Sequence, residues 1–159
     1  MVIDEMQLLR SLRALTGNGR NADGLDLHLE ALIAARDGDR TRANAAFAAA
    51  QEWESARGYS DGALHTAHQM ALTANFGGDL QKLNQYYQET SRTLMKMKNR
   101  KGVALCLRSI GEIAIVKQDS NELSRAWELS ERLFSMIGSP ESSQLASWRA
   151  CVREILNVD

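Results

Sequence analysis

The three histidines are the side chains of this sequence with the widest range of possible chemistry, and their positions follow the spacing of helices. His65 and His68 lie three residues apart, which places them on one face of a helix. His28 precedes His68 by 40 residues, and Arg108 follows His68 by the same interval. Imidazoles can hydrogen-bond a partner or water, titrate near neutral pH, or ligate zinc. Because no carboxylate or cysteine is expected beside the histidines, we predict no metal site.

Charged side chains offer two further possibilities. Arg108 and Glu112 are one helical turn apart, so they either pair with each other or leave Arg108 to clamp a partner carboxylate. A basic cluster surrounds the end of a predicted fifth helix, where cations stabilise the helix terminus or, alternatively, dock an acidic partner or nucleic acid. The cluster consists of Arg92, Lys96, Lys98, Arg100 and Lys101. Met95, Met97 and Met136 are predicted to fill gaps in the core.

No motif for catalysis is present in the sequence. The chain has no nucleophile-elbow serine, phosphate-binding loop, zinc-protease helix or paired-cysteine spacing. We therefore predict that the protein is not an enzyme and uses no cofactor.

Composition is typical of one globular domain. The chain has 159 residues, with 44% hydrophobic and 25% charged side chains. The net charge of −1 gives no general attraction to nucleic acid or anionic membrane. We expect a cytoplasmic location, since no secretory signal or bilayer-spanning apolar run is visible. Cys106 and Cys151 are expected to be reduced and buried, because both fall inside helical patterns.

A repeat of 40 residues organises the chain. Small residues, then an aspartate, then an aromatic recur in fixed register. The recurring sets are Ala31, Ala71 and Gly111; Ala34, Ala74 and Ala114; Asp39, Asp79 and Asp119; and Phe47, Tyr87 and Trp127. A period of this length is typical of stacked helix pairs that bury their apolar faces against each other.

Turn and cap residues divide the repeats into helices. We predict an all-α fold of about eight helices, with bounds near 4–16, 25–36, 40–57, 61–76, 80–98, 100–117, 120–137 and 140–156. The aspartates should cap the second helix of each pair, and Asn99 should end the fifth helix in a left-handed conformation. Residues 17–24 are predicted to be a mobile loop. The single domain, 1–159, then comprises an N-terminal helix and loop (1–24), helix pairs (25–58, 60–99, 100–138) and a C-terminal capping helix (139–159).

The register of small and aromatic residues resembles the tetratricopeptide repeat (TPR), in its long variety of about 40 residues per repeat. The resemblance covers about residues 25–157, although the closing proline of that family is absent and alanine replaces its tyrosine. It implies a right-handed α-solenoid of antiparallel helices. It also implies that the first helix of each pair lines a concave surface that binds peptides or partner domains.

Projecting the sequence onto that surface selects the candidate partner-binding residues. They are His28, His65, His68, Leu72, Asn75, Phe76, Arg108 and Glu112. Trp148 falls on the same projection, either as a core residue or as an exposed anchor.

The sequence favours a non-catalytic module that binds a peptide or partner helix in the concave groove. One alternative is a regulatory module that forms a homodimer through its terminal helices, by way of Leu12 or Trp148. Another is a small-ligand sensor in a signalling or transcriptional regulatory system. Membrane binding is not expected, and the sequence argues against nucleic acid as a partner.

Overall fold

The structure, a computed structural model, describes residues 4–17 and 22–157. Within those residues the chain forms eight α-helices and no β-strand, which confirms the all-α prediction. The helices are α1 (Glu5–Gly17), α2 (Leu25–Arg36), α3 (Arg40–Ala56), α4 (Ser60–Asn75), α5 (Leu80–Lys96), α6 (Arg100–Lys117), α7 (Ser120–Met136) and α8 (Glu141–Leu156). The core of the predicted mobile loop, residues 18–21, lies outside the described residues.

Aspartate caps begin the second helix of each pair, as predicted. The carboxylates of Asp39, Asp79 and Asp119 each accept a hydrogen bond of 3.1 Å from the backbone N–H three residues later. The prediction for Asn99 was wrong. Asn99 caps the start of α6 by accepting from the Gly102 N–H at 2.9 Å, and the left-handed residue is Lys98, with φ of 57°.

Helix α6 lies at the centre of the fold. It packs against α5 and α7 on either side and also contacts α2 from the first helix pair. Every residue from 106 to 116 is buried, so this stretch has no solvent face. A helix surrounded in this way must bury whatever polar side chains it carries, and those side chains then need partners inside the protein.

The last helix returns to the beginning of the chain. Helix α8 packs against α1, and the indole N–H of Trp148 donates to the Asp23 carbonyl oxygen at 2.9 Å. The Asp23 carboxylate in turn accepts from Trp53 at 3.0 Å and Tyr59 at 2.8 Å. Helices α2 and α6, the first helices of the first and third pairs, also pack against each other. The side that was predicted to be an open groove is filled largely by their own side chains.

Both cysteines are free thiols in the protein interior. Cys106 and Cys151 are free and buried, as predicted, and burial raises the pKa of the Cys106 thiol to about 11. A thiol with so high a pKa is a weak nucleophile near neutral pH.

None of the helices in residues 4–17 and 22–157 is both long and apolar enough to cross a bilayer.

Close packing between α6 and α7 depends on Gly111. A β-carbon at this position would overlap the indole Nε1 and Cδ1 of Trp127. Trp127 is itself buried and donates from Nε1 to the Arg108 carbonyl oxygen at 2.9 Å. At the position equivalent to Ala31 and Ala71, the third repeat therefore has glycine, because the aromatic side chain of the same repeat lies directly on it.

Gly111→Ala is expected to lower the free energy of unfolding by about 2 kcal/mol, since the added methyl group displaces a tightly held indole. Urea denaturation followed by circular dichroism measures the change. Gly102→Ala on the same helix is the matched control, because its methyl group would meet the side-chain ends of Leu94 and Asn99 rather than a buried indole. Equal stability of Gly111→Ala and the wild type would contradict this account.

Candidate functional site

A buried polar cluster occupies the place where the sequence predicted part of a binding groove. Its centre is Arg108 of α6, which has no solvent exposure. The guanidinium Nη1 donates to Glu54 Oε2 at 2.7 Å and to Gln144 Oε1 at 2.8 Å. Nη2 donates to Thr66 Oγ1 at 3.2 Å and to the Gly62 carbonyl oxygen at 3.4 Å. One side chain thus joins α6 to α3, α4 and α8.

His28 of α2 lies between two carboxylates of the same cluster. Its Nδ1 lies 3.0 Å from Glu112 Oε1, and its Nε2 lies 3.4 Å from Glu54 Oε1. The indole of Trp148 packs edge-on against the imidazole, with ring centroids 4.9 Å apart. Burial lowers the pKa of His28, but the charges of Glu112 and Glu54 outweigh it and raise this pKa to about 9. His28 is therefore a cation at neutral pH.

Opposite charges lie next to each other within the cluster. Burial raises the pKa of Glu54, but Arg108 and His28 outweigh it and hold the Glu54 pKa far below its usual range. Burial acts in the opposite sense on Arg108, whose pKa is nevertheless raised by Glu54 and Glu112. His28 and Arg108 thus lie beside the buried carboxylates of Glu54 and Glu112, and Glu141 adds a third buried acidic side chain whose charge acts on Arg108.

The N-terminus of α8 is tied to the same region. The Glu141 carboxylate accepts from the Gly62 N–H at 2.9 Å, and Gln144 Nε2 donates to Glu54 Oε2 at 3.2 Å. A β-carbon on Gly62 would overlap the Glu54 carboxylate, so glycine is needed for this close approach. The cluster therefore joins five helices, α2, α3, α4, α6 and α8. Its position suits a role in stabilising the fold better than a role in binding or catalysis.

Sequence reasoning missed Glu54, Thr66 and Gln144. Glu54 belongs to a second helix, which the projection onto the concave surface excluded, and none of the three follows the 40-residue register. The expectation that the histidines have no carboxylates beside them was also wrong for His28. Even so, among the described residues no group of three or more histidines, cysteines and acidic side chains is arranged to hold a metal ion.

The eight predicted partner-binding residues separate into two groups. His28, Arg108 and Glu112 are buried in the cluster, so the prediction that they line an accessible surface is wrong for these three. Arg108 pairs with Glu54 rather than with the neighbouring Glu112. The physical reason is the return of α8, which closes the groove over them. Trp148, for which two roles were open, is a core residue.

The remaining five residues belong to α4 and its C-terminal end. His68 and Asn75 are exposed, whereas His65, Leu72 and Phe76 are partly buried. His65 Nε2 lies 2.7 Å from Ser109 Oγ, and burial together with the Arg108 charge lowers the His65 pKa well below its usual value. The rings of His68 and Phe76 both pack near Tyr86 of α5. Partner binding at this α4 face stays a prediction.

Exposed apolar side chains gather at a different place, one end of the molecule. Met95 is 56% exposed, Met97 67%, Met136 57% and Ile137 37%. The prediction that the three methionines fill core gaps was therefore wrong. Met95 and Met136 lie in the last turns of α5 and α7, and Met97 and Ile137 directly follow those helices.

A groove runs between those helix ends, with a volume of about 760 Å³. Its apolar lining, which we call the floor of the α5–α7 groove, consists of Met95, Val103, Leu129, Leu133 and Ile137. Its rim carries Lys98, Arg100 and Lys101, and none of the described lining residues is acidic. An apolar floor with a cationic rim can bind an amphipathic segment.

Comparisons of this chain with protein-family models, with curated proteins and with solved structures found no match. The relation to the tetratricopeptide repeat therefore remains a resemblance, based on the repeat register.

Proposed function

We propose that this chain is a non-catalytic protein-interaction module, a right-handed stack of antiparallel TPR-like helix pairs that binds a segment of a partner protein in the α5–α7 groove. The observation that carries the proposal is the clustering of exposed apolar side chains around that groove. Met95, near the end of α5, and Ile137, just after α7, line the same groove although they come from different helices, and their neighbours Met97 and Met136 are also exposed. Exposed apolar patches of this kind mark interaction sites on folded proteins.

The groove replaces the closed concave side as the favoured site. Three of the residues chosen for that side hold charges inside the protein, where a partner cannot reach them. Methionine suits the new site because its unbranched, polarisable side chain adapts to differently shaped partners. The α4 face, with His68 and Asn75 exposed, is kept as the comparison surface in the experiment.

Self-assembly through the terminal helices is less favoured. Leu12 of α1 and Trp148 of α8 are completely buried, and the two helices pack against each other within the chain. Their apolar faces are thereby used for folding, and a homodimer would need a different surface.

Affinity capture from the native lysate tests the proposal. We expect the wild type to retain a partner that Met95→Ser with Ile137→Ser loses, since both substitutions remove exposed apolar contacts from the groove without emptying the core. His68→Ala with Asn75→Ala should retain the same partner. Leu64→Ser is the matched control, because Leu64 is 73% exposed and lies outside the groove.

The opposite pattern would overturn the site. Loss of the partner in the α4 variant, with full retention in the groove variant, would return the site to His68 and Asn75. Retention by every variant would leave neither surface as the binding site.

A further inference from the structure

We infer that the occupant of the α5–α7 groove is an acidic amphipathic helix of a partner protein. The inference rests on the proposed function and specifies the class of partner.

The shape of the floor matches a short helix. Leu129, Leu133 and Ile137 follow one another at intervals of four residues along one face of α7 and its end. Eight residues of helix extend about 12 Å, which is a little over two turns. A partner helix with apolar residues at i, i+4 and i+7 can lie along such a row, as in other helix-in-groove complexes.

The rim supplies the charge preference. In the part of the chain that the structure describes, neither Lys98 nor Arg100 forms an ion pair, so both charges are available to a partner. Lys101 lies 3.4 Å from Asp61, but both side chains are largely exposed, and such pairs are easily exchanged. A partner carboxylate at the rim would meet up to three cations without an opposing lining charge.

Helix dipoles explain the cations at the C-terminal end of α5 but not Arg100 and Lys101, which begin α6. Lys96 lies in the last turn of α5, where a positive charge is favourable. Arg100 and Lys101, however, are the first two residues of α6, where the helix dipole favours negative charge, and this first turn has no acidic residue. Their placement is unfavourable for the isolated helix and becomes favourable when an acidic partner lies over it.

The floor favours a protein helix over the other polyanions. Among the described residues no aromatic side chain lines the groove, so stacking with nucleic acid bases has no platform. The groove is also concave, with apolar side chains between the cations, whereas adsorption to a lipid surface needs an apolar face that projects outward. An acidic amphipathic helix satisfies both the apolar floor and the cationic rim.

The test uses a synthetic fluorescein-labelled helix of about 16 residues, with leucine along one face and glutamate on the other. Fluorescence anisotropy should show at least tenfold tighter binding of this peptide than of two controls. One control has lysine in place of every glutamate, and the other has the same composition with the leucine face scrambled. Binding should weaken as salt is raised, because the rim is exposed to solvent.

Charge reversal locates the interaction. Lys98→Glu with Arg100→Glu should weaken binding of the acidic peptide at least tenfold. Arg40→Glu with Lys82→Glu changes the net charge equally and also lies near helix starts, but outside the groove, so it should have little effect. Circular dichroism confirms that both variants fold.

The outcomes separate this inference from the proposed function. Equal binding of the acidic and lysine peptides, or no effect of the rim variant, overturns the inference. A native partner that is lost on Met95→Ser with Ile137→Ser but kept by the rim variant supports the groove and overturns the acidic helix. Tighter, rim-dependent binding of phosphatidylserine vesicles or duplex DNA than of the peptide also overturns it.

Discussion

Arg108→Met is expected to destabilise the protein by about 3–5 kcal/mol, because it removes the central cation of a buried cluster. The variant leaves Glu54 and Glu112 with His28 as the nearest cation, and it removes the donors to Gln144 and Thr66. Domains of this kind are stable by about 5–15 kcal/mol in total, so the variant should retain only part of its stability. Urea denaturation at neutral pH measures the loss.

An exposed ion pair is the control for this prediction. Arg132 and Glu128 lie 3.0 Å apart on the surface of α7, and Arg132→Met should cost less than about 1 kcal/mol. Adding Glu54→Gln to Arg108→Met should recover part of the loss, since the uncompensated carboxylate is then neutral. A loss below about 1 kcal/mol in Arg108→Met, or no recovery in the double variant, would contradict a stabilising role for the cluster.

Helix positions could be read from the sequence because local signals determine them. The aspartates at 39, 79 and 119 satisfy the first backbone N–H groups of the helices that follow them, whatever the rest of the chain does. The predicted bounds consequently agree with the observed helices within two residues. Asn99 was misassigned because asparagine is common at either end of a helix, and only the backbone conformation tells the two roles apart.

The packing of the last helix against the beginning of the chain could not be predicted from the sequence in the same way. Trp148 and Asp23 are joined by a hydrogen bond across 125 positions of sequence, and no periodic pattern encodes such a contact. That closure decides that His28 and Arg108 are buried rather than exposed. The 40-residue spacing had placed these two residues at equivalent positions of their helices. The same spacing is compatible with an open groove and with a closed one, so it could not predict their burial.

Exposure of the methionines was missed for a related reason. Met95 and Met136 occupy the last turn of their helices, where an apolar side chain can either cover the core or remain in solvent. The outcome depends on whether another helix follows alongside. Here none of the described helices covers that end, and the floor of the α5–α7 groove stays accessible.

The protonation of His28 makes the stability contributed by the buried cluster depend on pH. The carboxylates that face His28 are Glu54 from α3 and Glu112 from α6, and the Trp148 ring packs on the imidazole from α8. Arg108 pairs with Glu54, and His65 is the other histidine that interacts electrostatically with His28. A histidine whose pKa is raised on folding stabilises the protein fully below its unfolded pKa near 6.5. That contribution is lost as the pH rises through the folded value of about 9.

Glu54 and His65 change the stability in the opposite direction, since their contributions are lost as the pH falls, so the loss due to His28 is expected on the alkaline side. The lowered pKa of Glu54 stabilises the protein above the usual glutamate value near 4.5, and this contribution is lost in acid. The lowered pKa of His65 likewise contributes above about 6.5 and is lost as the pH falls. The raised pKa of Cys106 adds an alkaline loss only above the usual thiol value near 9, outside the window of interest.

The free energy of unfolding should therefore fall by roughly 2–3 kcal/mol between pH 6.5 and 9, since each unit of a pKa difference is worth about 1.4 kcal/mol. Denaturation series at half-unit intervals measure the slope, and NMR of the imidazole measures the His28 pKa directly. His28→Gln should abolish the slope, whereas His68→Gln, on the exposed α4 face, should keep it. A slope that persists in His28→Gln, or a measured His28 pKa below 7, would show that the two carboxylates do not hold a proton on this histidine.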